Sequence, residues 1–238
     1  SYYRVEGEAK ISSNRWSSGE IKREGCKDHR KRYKLFKTTS AFGYVWGKLY
    51  KNSFLKDHKL RFDEMRKVFM EDTLFNLKAF SYAPRYYALK EPVYYYYIHE
   101  ASTSNRKEDI TNRALKMIQD YDAFLRAENK YEENLDLLVP LAARVFCWAV
   151  MKKVFSQGGS FKNIYDTVLE FSEDGTMRVL ISHKRAIRVL LELPNFLETI
   201  FFTICILALR LKLYKLISLI FLCIYPLARL YIVKNVKG

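Results

Sequence analysis

The chain has 238 residues, of which 49% are apolar and 16% aromatic, enough to build a core and to exclude a disordered polymer. Its net charge of +15 gathers at the ends: residues 1–40 carry 11 bases against 5 acids, and residues 184–238 carry 9 against 2, leaving the middle close to neutral. The C-terminal bases sit inside strongly apolar sequence, which suits an anionic bilayer and argues against a nucleic-acid-binding tail, and no nucleic-acid-binding motif is present.

The first residues, SYYRVEGEAKI, alternate like a strand end followed by a turn at Gly7. Residues 12–34 are polar and basic, with Gly19 and Gly25, and read as a loop. The apolar patch AFGYVWGKLY at 41–50 resumes order. In 69–80, Leu74, Leu77 and Phe80 stand at helical spacing behind the acidic pair Glu71-Asp72. Residues 86–98, aromatic and β-branched around Pro92, predict an edge strand, since proline cannot donate to a sheet ladder.

Beyond residue 104 the pattern becomes helical. Asn105 with Glu108 three residues on predicts a capping-box start. Ile110, Ala114, Met117, Ile118, Tyr121, Phe124 and Leu125 then follow one helical stripe. A second helix is expected over about 135–155, begun or broken near Pro140 and stopped by Gly158-Gly159. Ser160 suits the cap of a short third helix, with Gly175 ending the acidic turn after it. Asp120-Tyr121-Asp122 spells a metal-binding DxD, but its tyrosine belongs to the apolar stripe, which makes the acids a solvated face.

The tail contains two apolar runs, Phe196–Leu209 and Leu216–Val233. Neither is a comfortable crossing, which needs roughly 20 apolar residues. The first is short and holds Glu198; the second contains Pro226 and Arg229, and Arg210, Lys212 and Lys215 lie between them. The expectation is a pair of in-plane or shallowly re-entrant helices; two helices buried in a soluble core are the alternative. The four cysteines, Cys26, Cys147, Cys205 and Cys223, show no metal spacing and read as reduced packing residues. His29, His58 and His183 have no partner at a ligand spacing.

Glu71-Asp72 is the pair with most chemical promise. Acids there equally suit a helix N-terminus, as a cap or against the helix dipole. The order of segments around them adds a second line of argument. Trp46-Gly47-Lys48-Leu49-Tyr50-Lys51 is followed by Leu60-Arg61-Phe62-Asp63-Glu64, then Glu71-Asp72-Thr73, then Tyr94-Tyr95-Tyr96-Tyr97-Ile98-His99-Glu100-Ala101-Ser102. Residues 40–105 thereby resemble the bacterial family-2 glycosyltransferases of capsule and exopolysaccharide synthesis, which show a WxKLY-type segment, an xFxE segment and an ED motif in this order.

The resemblance implies an inverting transfer of a sugar from a nucleotide-sugar donor to a lipid-linked or saccharide acceptor, at the cytoplasmic face of the bacterial inner membrane. Asp72 matches the family's base, and Glu71 would position the acceptor. Trp46 either stacks a sugar ring or fills a core; Lys48 either meets the donor diphosphate or is solvated. His99 falls where the family has a basic residue before a loop that would close over the diphosphate, and Ser102 lies in the serine-containing loop that ends the tyrosine-rich strand. The expected fold is an α/β region, a partial and truncated GT-A-like sheet over 1–104 holding the acceptor-binding half, then a helical region over 105–183 and membrane-associating basic, apolar helices over 184–238. The half that binds the nucleotide, with its acidic DxD loop for Mg²⁺ or Mn²⁺, would precede Ser1. The chain alone is therefore expected not to catalyse transfer, with its first strand an open sheet edge and Asp72 facing an empty cleft. A non-catalytic membrane-surface module is the rival reading.

Overall fold

The computed structural model describes residues 3–6, 9–12, 19–22, 43–64, 66–83, 85–88, 94–97, 108–193 and 195–236, and past Pro226 it gives the backbone path alone. The chain divides into two compact units, one of residues 1–106 with 123–137, the other of 107–122 with 138–238.

In the first unit the strands are short: β1 (Tyr3–Glu6), β2 (Ala9–Ser12), β3 (Gly19–Lys22), β4 (Arg85–Ala88) and β5 (Tyr95–Tyr97). They make two small sheets. One has the order β2-β1-β5, with β1 antiparallel to β2 and parallel to β5; the other pairs β3 with β4 antiparallel. The expected α/β region with a truncated GT-A-like sheet is not found among the described residues, which are dominated by helix. The physical reason lies in the connections. An α/β sheet of the expected kind repeats parallel pairs through crossovers of a dozen or more residues, whereas among the described strands only β1 and β5 pair in parallel, and β1 with β2 and β3 with β4 are antiparallel.

Two further expectations change with it. The first strand is not an open edge, because β2 covers one side of β1 and β5 the other. The basic stretch read as a loop contains β3, and the tyrosine-rich run contributes β4 and β5 to different sheets on either side of Pro92.

The centre of the first unit is a helix. After the single-turn α1 (Asn52–Asp57), α2 (Glu71–Tyr82) buries Thr73 through Leu77 as well as Ala79, Phe80 and Ser81, so it is covered on nearly every side. Phe62 stacks on Phe75 with ring centroids 4.1 Å apart, and Tyr50 meets the same ring edge-on at 5.5 Å. Tyr82 at the far end stacks on His58 at 4.1 Å and touches Phe124 edge-on.

The second unit is helical throughout its described residues. α3 (Thr111–Ala127) starts where Asp109 accepts hydrogen bonds from the Thr111 amide at 2.9 Å and its hydroxyl at 2.6 Å. The expected capping residue, Asn105, lies outside the described residues. α4 (Leu135–Gln157) runs through Pro140, losing one backbone bond early in the helix, and is buried on most faces from Leu137 to Val154. Phe146 of α4 packs edge-on against Phe171 of α5 (Phe161–Glu173) at 5.2 Å and against Phe221 of α9 (Tyr214–Val236) at 5.7 Å. Ser160 caps α5 as its position predicts, accepting from the Asn163 amide at 3.1 Å.

Gly175 does not end a turn. It opens α6 (Gly175–Ser182), whose cap is Asp174, accepting from the Met177 amide at 2.9 Å. Two more helices, α7 (Ala186–Leu191) and α8 (Phe196–Arg210), lead into α9. Arg210 donates to the carbonyls of Ile181 and His183, both at 2.8 Å, and so closes the C-terminal end of α6. Cys147 and Cys205 are buried with sulfurs 4.0 Å apart and are free thiols, while Cys223 is exposed. One described helical stretch, Glu132–Gln157, has the length and apolarity to cross a membrane, but 83% of its apolar window is buried inside the protein, as in a core helix.

Candidate active site

Of the residues singled out by their order along the chain, Lys48 and Asp72 come together at the N-terminal end of α2. Met70, the residue before the helix, has φ of 58°, a left-handed conformation that a residue with a side chain rarely adopts, and it supplies no side-chain cap. Asp72 stands in the first turn but turns its carboxylate to the 43–50 loop, where the Val45 backbone amide donates to it. Local strain and a carboxylate committed to another segment are more than a simple helix start requires.

That loop is fixed to α2 from several points. Thr73 donates its hydroxyl to the Gly43 carbonyl at 3.0 Å. Asn76 donates to the Tyr44 carbonyl at 3.0 Å and accepts from the Tyr50 hydroxyl. Lys48 donates its amine to the same Tyr44 carbonyl. Gly47 turns the chain at φ of 68°, within the region that favours glycine, and so brings Lys48 back beside the helix end. The Leu60–Glu64 segment is tied to α2 as well, through Phe62 on Phe75 and an Asp63–Lys78 ion pair of 2.7 Å.

Burial sets the electrostatics. Asp72 has its pKa raised, because partial burial penalises the carboxylate; the Val45 amide and the nearby Lys48 ammonium counter part of that. Lys48 is pushed down to about 8 by burial, with the Asp72 charge acting against the shift. Tyr50 is held protonated well above its ordinary range by burial and by the Asp72 charge. The result is a carboxylate, an amine near its own pKa and a phenol that keeps its proton, grouped at one helix end. The neighbours of Asp72 are the amide of Val45 and the side chains of Lys48 and Tyr50.

Trp46 is stacked on two tyrosines, Tyr44 at 4.7 Å and Tyr94 at 4.8 Å, so the WxKLY-type segment and the tyrosine-rich run share one aromatic column. Tyr94 is the exposed member, 38% accessible. Glu71 precedes Asp72 in the same turn and is partly exposed. His99 and Ser102 lie outside the described residues. Among the described residues no three His, Cys, Asp or Glu side chains converge. Asp120 pairs with Lys116, and Asp122 is buried, not solvated as the sequence suggested.

Sequence reasoning gave Tyr50 no role beyond its place in the WxKLY-type segment and did not single out Asn76. A signal for Asn76 was present: it is a lone amide inside a helix that is otherwise apolar on successive turns, and a buried amide of that kind needs partners.

Comparison with known proteins adds one likeness. Over 110 residues, 43% of this chain, the sequence is 32% identical to a Bacillus subtilis (strain 168) protein carrying the name "Putative glycosyltransferase EpsH". The matched stretch covers 31% of that protein, so the chain spans under a third of the relative's length. No protein-family model and no solved structure matches the chain. The likeness supports a glycosyltransferase relationship.

Proposed function

We propose that this chain carries the acceptor-activating part of an inverting glycosyltransferase of surface polysaccharide synthesis, with Asp72 as its general base. The observation that carries the assignment is the state of Asp72: half-buried, raised in pKa, and aimed by the Val45 amide. A base must be strong enough to take a hydroxyl proton and must be fixed in place while doing so; burial supplies the first property and the amide the second.

In this scheme the acceptor hydroxyl gives its proton to the Asp72 carboxylate as its oxygen bonds to the anomeric carbon. The bond from that carbon to the donor phosphate breaks on the opposite face, and the nucleoside diphosphate leaves with the electron pair. Attack and departure on opposite faces invert the anomeric centre, so a single carboxylate suffices, in contrast to the paired carboxylates of glycosidases. Glu71 holds a second acceptor hydroxyl. Lys48, with a pKa near 8, meets the departing diphosphate as a point charge. Tyr94 and Trp46 form the aromatic wall beside the sugar. No step above runs through a divalent cation. The donor is a nucleotide sugar and the acceptor a lipid-linked saccharide.

The test is a transfer assay on the gene product that contains this chain, with a panel of nucleoside-diphosphate sugars and membrane-derived lipid-linked acceptors. The proposal expects acceptor-dependent release of nucleoside diphosphate with inversion at the anomeric carbon, read by NMR. Retention of configuration, or no release with any donor, contradicts it.

A further inference from the structure

The second unit carries an apolar surface that its own helices leave uncovered. On α8, Phe196, Leu197, Ile200, Ile204, Leu207 and the adjoining Leu211 are exposed, with Phe196 and Leu197 each 75% accessible. Their spacing of three to four residues puts them on one helical face, while Phe202, Cys205, Ile206 and Leu209 on the opposite face are buried. α9 repeats the arrangement: Leu216 and Leu219 are exposed, and Ile217 and Phe221 are buried. Scattered exposed leucines need no explanation, but an outward apolar face that runs the length of α8 and continues into the start of α9 does.

We propose that the outward faces of α8 and α9 seat the protein in the headgroup region of an anionic lipid bilayer, with both helices lying in the membrane plane. Charge selects this occupant. The turn between the helices reads Leu211-Lys212-Leu213, and Lys215 follows; both lysines are exposed among exposed leucines, the arrangement in which apolar stems enter the interface and ammonium groups reach phosphates. No Asp or Glu follows Glu198 in the sequence, and Glu198 itself is paired with Arg144 at 3.0 Å. A second copy docked on this face would bring two basic surfaces together without acids to meet them. Length excludes a simple crossing by α8, since 15 residues rise about 22 Å against a hydrocarbon thickness of roughly 30 Å. The surface is argued without reference to the chemistry of Asp72, and either can fail alone.

The experiment is sedimentation of the full chain with vesicles of phosphatidylcholine alone or mixed in equal parts with phosphatidylglycerol. The chain is expected to pellet with the mixed vesicles. Leu197→Glu/Ile204→Glu, at exposed positions that leave the core intact, is expected to cut bound protein at least about tenfold with an unchanged circular-dichroism spectrum. Lys212→Ser/Lys215→Ser is expected to weaken binding in about 0.1 M salt and to make little difference in about 1 M, where surface charge is screened. A second readout needs no change to the apolar face. A polarity-sensitive fluorophore on exposed Cys223, with Cys26 replaced by serine, is expected to shift to the blue when mixed vesicles are added. The proposal is overturned if the wild-type chain stays in the supernatant, if the fluorophore does not shift, or if the glutamate variant pellets like the wild type. It is equally overturned if light scattering shows a dimer that the glutamate variant splits, which would make a second copy the occupant.

Discussion

Asp72 and Lys48 pull each other's titration in opposite directions to burial, and this gives the site a readable pH signature. Lys48 has a pKa of about 8 in the folded chain against 10.5 when solvated. Between those values the unfolded chain holds a proton that the folded chain has released, so the lysine's contribution to stability rises with pH across that window. Above pH 10 Tyr50 acts the other way, because its raised pKa makes the folded state keep a proton that the unfolded state loses. From pH 8 to 10, thermal denaturation should therefore show the wild type gaining on Lys48→Met. A constant difference across that range would mean that Lys48 is solvated.

For Asp72 the raised pKa has the opposite sense. Stability falls as pH rises from the solvated carboxylate value through the folded one, and the deficit persists at neutral pH. Asp72→Asn removes the buried charge while its amide oxygen still accepts from Val45. It is expected to melt no lower than the wild type at pH 7. A clearly lower melting temperature would make Asp72 a structural carboxylate. The segments flanking this residue were legible by their order along the chain, but the pKa pattern was not, since it depends on the 43–50 loop folding back over α2.

At the scale of elements, α2 is the organiser of the first unit, and the Asn76 amide makes two of its bonds to the 43–50 loop. Asn76→Ala takes the acceptor from the Tyr50 hydroxyl and one of two side-chain donors from the Tyr44 carbonyl, at a cost of about 1–3 kcal/mol in urea denaturation. A loss below ~0.5 kcal/mol would show that solvent replaces the amide. α2 itself was readable because Leu74, Leu77 and Phe80 keep helical spacing, and all three are buried. The sheet was not readable. Alternating residues near the N-terminus and the run of tyrosines give no information about which strand each pairs with, and β4 and β5 chose different partners.

The caps of the second unit make a graded comparison. Ser160→Ala removes one cap bond and should cost about 1 kcal/mol. Asp174→Ala removes a cap bond together with the bond its other oxygen accepts from Gln119 at 2.6 Å, so its cost should be roughly double. Equal losses would mean that the Gln119 bond contributes nothing. Ser160 was legible as a cap, and Asp174 was missed because a glycine after an acidic run looks like a helix end as readily as a helix start.

For the molecule as a whole, the composition divides the work. Basic charge gathers at the two ends, and the central carboxylate group at the start of α2 lies in the nearly neutral middle. The likeness to a glycosyltransferase and the order of the four segments point to the same chemistry, although the expected α/β sheet is replaced by two small sheets and a predominantly helical chain. The order of the four segments was readable from residue types along the chain. The architecture was less so, because strands of three or four residues are set by partners distant in sequence.

The measurement that bears most directly on this account is the rate of sugar transfer by Asp72→Asn in the gene product containing this chain, with donor binding measured in parallel by calorimetry. Loss of a general base lowers turnover by ~10²–10⁴-fold, and the account expects that loss with donor affinity and fold unchanged. Asparagine serves a helix N-terminus about as well as aspartate, so a purely structural Asp72 would leave turnover within a few-fold of wild type, and that result would contradict the account.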